Sequence, residues 1–103
     1  MKNRLESLLA LLEKDRKDSF IIYGIALEYK SLKEFKEAEK YFSLLLESNP
    51  DYVPTYMQYA QLKERLNQLD EAKEIYRQGV IKAKEAGDKR SAVEMEEFLN
   101  DLE

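Results

Sequence analysis

The chain has 103 residues, enough for one domain, and a chain of this size buries roughly 60–65% of its unfolded surface. It contains no cysteine and no histidine, which excludes a disulfide framework, thiolate chemistry and the commonest general base and metal ligand. Its formal net charge is −4, and its 37% charged residues mix both signs along the chain, which argues against a nucleic-acid-binding face and for a solvated surface.

Three Gly, two Pro and an abundance of Leu, Glu, Lys and Ala predict an all-α protein, with six helices near 2–14, 19–31, 35–48, 52–66, 69–86 and 89–102. In the first, Leu5, Leu8, Leu9 and Leu12 recur at helical spacing. Lys2 and Arg4 resemble the n-region of a signal peptide, but Glu6 and Glu13 bracket the short apolar run and no small-residue cleavage site follows. No stretch approaches the ~18 apolar residues of a membrane span, so a cytoplasmic protein without membrane contact is expected. Lys14-Asp15-Arg16-Lys17 reads as a helix end, where cations favour the dipole.

Asp18 or Ser19 is placed to cap the second helix. This helix is apolar nearly all the way round. One stripe, Ile22, Ile25, Ala26 and Tyr29, reads as core; another, Phe20, Tyr23 and Leu27, has no assigned neighbour. Gly24 in mid-helix costs up to ~1 kcal/mol relative to Ala and signals tight packing more readily than the approach of a ligand. Asn49-Pro50 ends the third helix. Asp51 is expected to cap the fourth, with Pro54 in its first turn, Tyr52, Tyr56 and Tyr59 on one core face, and Asn67 in the left-handed conformation at its end. Gly87 ends the fifth. In the sixth, Ala92, Met95, Leu99 and Leu102 form one stripe, flanked by Val93 and Phe98, with the acidic residues largely outside it. Connections of two to four residues make neighbouring helices antiparallel.

A shift of 34 residues superposes Ala26 on Ala60, Leu32 on Leu66, Phe35 on Leu69, Glu37 on Glu71, Ala38 on Ala72 and Phe42 on Tyr76. The first unit reads Ile22-x2-Ile25-Ala26-x2-Tyr29, Ala38-x3-Phe42 and Pro50. The second reads Tyr56-x2-Tyr59-Ala60-x2-Lys63 and Ala72-x3-Tyr76. This resembles the tetratricopeptide repeat over residues 19–84. The departures are Lys63 for an aromatic, Leu45 where a small residue is usual, and Lys84 for the closing proline, so the fifth helix should run on. The resemblance implies a short right-handed α-solenoid of antiparallel helix-turn-helix repeats: a partial repeat at 1–17, repeats at 18–51 and 52–86, and a capping helix at 87–103.

No phosphate-binding loop, metalloprotease or hydrolase motif occurs, and serines such as Ser19 and Ser43 lack a base. Acidic pairs on charged helices read as solvated faces. Neither catalysis, metal nor cofactor is expected. The resemblance instead implies a protein–protein interaction module, with the second stripe of helix two on the concave inner surface. Its site residues are Phe20, Tyr23, Leu27 and Lys30, with Met57, Gln61 and Arg65 in the matching row of helix four. The Lys/Asn carboxylate clamp known in the family finds no match, since Tyr23, Leu27 and Gln58 stand there. Three readings of the stripe stay open: a protein or peptide partner binds it, the chain's own terminal segments cover it, or the chain is structural, as a fragment of a longer repeat scaffold or as a homo-oligomer such as a homodimer. An incomplete repeat that leaves Leu9 or Leu12 uncovered speaks for the last.

Overall fold

The computed structural model describes residues 3–103. Six helices follow in order: α1 (Arg4–Lys14), α2 (Ser19–Ser31), α3 (Phe35–Ser48), α4 (Pro54–Arg65), α5 (Leu69–Glu85) and α6 (Lys89–Leu102). No strand occurs among the described residues. The fold is the all-α helical repeat that the 34-residue period predicts. Lys2, placed in the first helix by the sequence pattern, lies outside the described residues. The helices group into two compact units, Met1–Tyr52 and Val53–Glu103.

In the first unit α2 packs against both α1 and α3. Ile22, Ile25 and Ala26 of α2 and Ala38, Phe42 and Leu45 of α3 are fully buried, which is the core stripe expected from their spacing. Caps decide where helices begin. The Asn3 side chain accepts from the Glu6 N–H at 2.8 Å, and Asp18 accepts from the Ile21 N–H at 3.1 Å. Asn49 then links the end of α3 to the start of α2, its amide donating to the Ser19 hydroxyl at 2.9 Å. Gly24 is buried, and a Cβ there would sit 3.3 Å from Leu8 Cδ1; the glycine marks close packing of α1 on α2.

In the second unit α5 packs against α4 and α6. Tyr56, Ala60, Leu62, Ala72, Tyr76, Ala83 and Met95 are buried. Gly79 is where the three helices converge, since a Cβ there would lie 2.6 Å from Tyr56 Cβ and 2.5 Å from Met95 Sδ. Helix α5 spans 17 residues against 14 for α3, as the missing proline predicts. Lys63, at the position of Tyr29, replaces aromatic packing by charge. It is only 8% exposed, pairs with Glu71 at 2.7 Å, donates to Gln68 at 3.0 Å and lies 5.4 Å from the Tyr59 ring centre. The Tyr76 hydroxyl donates to Glu64 across α4 and α5. Phe98 extends the α6 stripe by stacking on Tyr76 at 5.8 Å, whereas Val93 stays exposed.

Three helices end alike. After α2, α4 and α5, a residue at positive φ (Lys33 at 62°, Asn67 at 59°, Gly87 at 75°) returns its N–H to Lys30, Glu64 or Lys84, and the next N–H returns to Tyr29, Lys63 or Ala83. These paired bonds satisfy carbonyls that the helix end leaves open. Asn67 and Gly87 are the expected residues; Lys33 escapes sequence reading because lysine carries no preference for that conformation. One expected start is corrected. Helix α4 begins at Pro54, not at residue 52, and Val53 precedes it without a side-chain cap. Asp51 does not cap it, because Asp51 belongs to the preceding turn, where its N–H donates to Asn49 Oδ1 at 3.3 Å.

Candidate functional site

The second stripe of α2 is an exposed row. Ile22, Ile25 and Ala26 of its core stripe are buried and Tyr29 is half-buried, yet Phe20 is 70% exposed, with Tyr23, Leu27 and Lys30 half-buried. Helix α1 meets α2 at Gly24 and, through the Arg4–Glu28 ion pair at 2.9 Å, at the next turn, which leaves Phe20 open. Tyr23 is held in place by Tyr52, with ring centres 5.6 Å apart and planes tilted by 56°. Tyr52 therefore serves α2 rather than the face of α4 that the tyrosine spacing suggested. Burial, and secondly Tyr52, pushes the Tyr23 hydroxyl above its ordinary pKa, so it stays protonated and able to donate.

The row on α4 belongs to the second unit and has a different character. Met57 and Gln61 are half-buried and Arg65 is exposed. The one buried polar side-chain atom without a hydrogen bond among the described residues, Thr55 Oγ1, lies in the first turn of this helix. No group of three His, Cys, Asp or Glu residues among those described is placed to hold a metal ion. No helix among them is long and apolar enough to cross a membrane.

A groove of about 570 Å³ opens between α1 and α3. Leu9 and Leu12 line one side, Tyr41 and Leu44 the other, and Glu13, Arg16 and Lys40 stand at its rim. Sequence reasoning marked Leu9 and Leu12 as uncovered but passed over Tyr41 and Leu44. Helix α1 buries none of its residues fully, and Leu11 remains 48% exposed.

Comparison with known proteins agrees with this architecture. The tetratricopeptide repeat family profile matches residues 30–90. A tetratricopeptide repeat domain protein from Salinibacter ruber, solved in solution, is 34% identical; the match covers 86% of this chain and 90% of that one, with a TM-score of 0.82. The TPR2B domain of yeast Sti1, solved in complex with pHsp70, has the same fold at 18% identity, covering 95% of this chain and 78% of that one with a TM-score of 0.88. The pre-mRNA-splicing factor CLF1 of Eremothecium gossypii is 41% identical over 58 residues, 56% of this chain but 8% of its own length.

Proposed function

Because this chain belongs to the tetratricopeptide repeat family, we propose that it is a non-catalytic interaction module that binds a peptide or helical segment of another protein. Phe20, Tyr23, Leu27 and Lys30 form the contact row on α2, the row that the family resemblance assigns to the inner surface. Met57, Gln61 and Arg65 form the corresponding, more polar row on α4. The observation that carries this reading is Phe20, an aromatic 70% exposed on a helix whose Ile22, Ile25 and Ala26 are already buried. Aromatic side chains are enriched where proteins meet, because a large rigid surface is desolvated at little entropic cost. That the similar Sti1 domain was solved with pHsp70 supports a protein ligand.

A display selection of peptides against the 103-residue chain, followed by affinity measurement on variants, tests this. Phe20→Glu and Tyr23→Glu are expected to weaken the selected peptides at least tenfold while the far-ultraviolet circular dichroism stays that of the parent. Unchanged affinity in both variants would remove α2 as the contact row. A second reading, self-association, is favoured by the incomplete burial of α1. Leu12→Glu then alters the mass in solution while leaving peptide binding intact.

A further inference from the structure

The turn between α3 and α4 serves the contact row, and we infer that Tyr52, at the end of this turn, is a positioning residue that fixes Tyr23 in the orientation a docked peptide meets. The inference rests on the proposed contact row of α2 and adds to it a part from outside that helix. A tyrosine on an open helix face has a choice of rotamers, and freezing such a side chain on binding costs about two- to tenfold in affinity. Tyr23 is not free in this way. Its ring meets Tyr52 with centres 5.6 Å apart and planes tilted by 56°, within the range that aromatic pairs favour. Both residues are half-buried. Phe20 precedes Tyr23 by one helical turn on the surface of α2 and is left open. A fixed ring therefore stands beside an exposed one.

The turn is itself anchored to α2. The Asn49 amide donates to the Ser19 hydroxyl at 2.9 Å, which ties the end of α3 to the first residue of α2. The Asn49 side-chain oxygen accepts from the Asp51 N–H at 3.3 Å, and its carbonyl accepts from the Tyr52 N–H at 3.1 Å. These bonds run from α2 through the turn to the backbone of Tyr52, and Pro50 between them fixes one more dihedral. All of these residues lie in the first unit. The repeat itself does not call for the brace. At 34-residue spacing Ser19 corresponds to Val53, Asn49 to Ala83 and Tyr52 to Ala86. In the second unit α5 runs on to Glu85, so no such turn occurs there, yet Tyr56, Tyr76 and Met95 are buried. In the first unit the buried core of Ile22, Ile25, Phe42 and Leu45 includes neither Tyr23 nor Tyr52. The brace thus orders a side chain that the core does not use.

Two measurements on the full chain test this. The first needs no peptide: three-bond couplings across the Tyr23 side chain are expected to report one χ1 rotamer in the parent and in Tyr52→Phe, and averaging between rotamers in Tyr52→Ala. The second follows a fluorescein-labelled, display-selected peptide by anisotropy. Tyr52→Ala is expected to weaken its binding about three- to tenfold and Tyr52→Phe by less than about twofold, with the far-ultraviolet circular dichroism unchanged. Asn49→Ala, which loosens the turn but keeps the ring, should weaken it in the same sense. In a Tyr23→Ala background, Tyr52→Ala should cause no further loss, since a residue that acts through Tyr23 then has nothing to position. A general loosening of the fold would weaken binding in either background. A single Tyr23 rotamer in Tyr52→Ala, unchanged affinity in Tyr52→Ala, or losses from Tyr23→Ala and Tyr52→Ala that simply add would overturn the inference and leave the contact row standing. Affinity indifferent to both Phe20→Glu and Tyr23→Ala would remove the contact row, and this inference with it.

Discussion

Replacing Gly79 by alanine tests the packing of the second unit at its tightest point. A Cβ at this position lies 2.6 Å from Tyr56 Cβ and 2.5 Å from Met95 Sδ, whereas ordinary contact begins at 3.4 Å. The methionine sulfur can swing aside. Tyr56 Cβ cannot, because it is one bond from the α4 backbone, so α5 must withdraw from α4 by about 0.8 Å. Overpacking of this kind costs about 1–3 kcal/mol, against a gain of up to ~1 kcal/mol from the better helix propensity of alanine. The net expectation is a loss of about 1–2 kcal/mol, read from urea unfolding followed by circular dichroism at 222 nm. Gly24→Ala is the internal control: its nearest neighbour is the flexible end of Leu8, 3.3 Å away, so that variant should match the parent or gain up to ~1 kcal/mol. If Gly79→Ala proved as stable as Gly24→Ala, the close convergence of α4, α5 and α6 would be refuted.

Thr55→Val removes a buried hydroxyl that has no hydrogen-bond partner while keeping its shape, and the urea midpoint should hold or rise by up to ~1 kcal/mol equivalent. Lys33→Gly relieves a non-glycine residue at φ 62° and should stabilise the chain by about 0.5–1 kcal/mol in the same assay. The buried Tyr76 hydroxyl is pushed above its ordinary pKa by burial first, then by its hydrogen bond to Glu64 and the Glu64 charge. The unfolded chain therefore loses this proton near pH 10 while the folded chain keeps it. Stability is full below pH 10 and declines above it by about 1.4 kcal/mol per pH unit for this group. Unfolding measured between pH 9.5 and 11.5 should show a slope that is shallower by that amount in Tyr76→Phe.

Helix existence and the core were legible because small and aromatic residues recur at one period: Ala26 with Ala60, Ala38 with Ala72, Phe42 with Tyr76 are all buried. Sharp ends were legible where a residue has one dominant backbone preference, as at Asn49-Pro50, Asn67 and Gly87. Lys33 was not, since its left-handed turn is imposed by the helix-end hydrogen bonds to Lys30 and Tyr29 rather than by its own side chain. Asp51 misled because an aspartate ahead of a proline-containing first turn serves a turn as well as a cap. Phe20, Tyr23 and Leu27 could be named as surplus apolar residues, but only coordinates show which stays open and that Tyr52 braces Tyr23. The α1–α3 groove needed helices from two parts of the first unit.

Amide chemical-shift mapping of the uniformly 15N-labelled chain, titrated with a display-selected peptide, tests the proposed contact row most directly. The account predicts that the largest shifts fall on Phe20, Tyr23, Leu27 and their immediate neighbours in α2 and are lost in Phe20→Glu. Shifts that spare α2 altogether would contradict it.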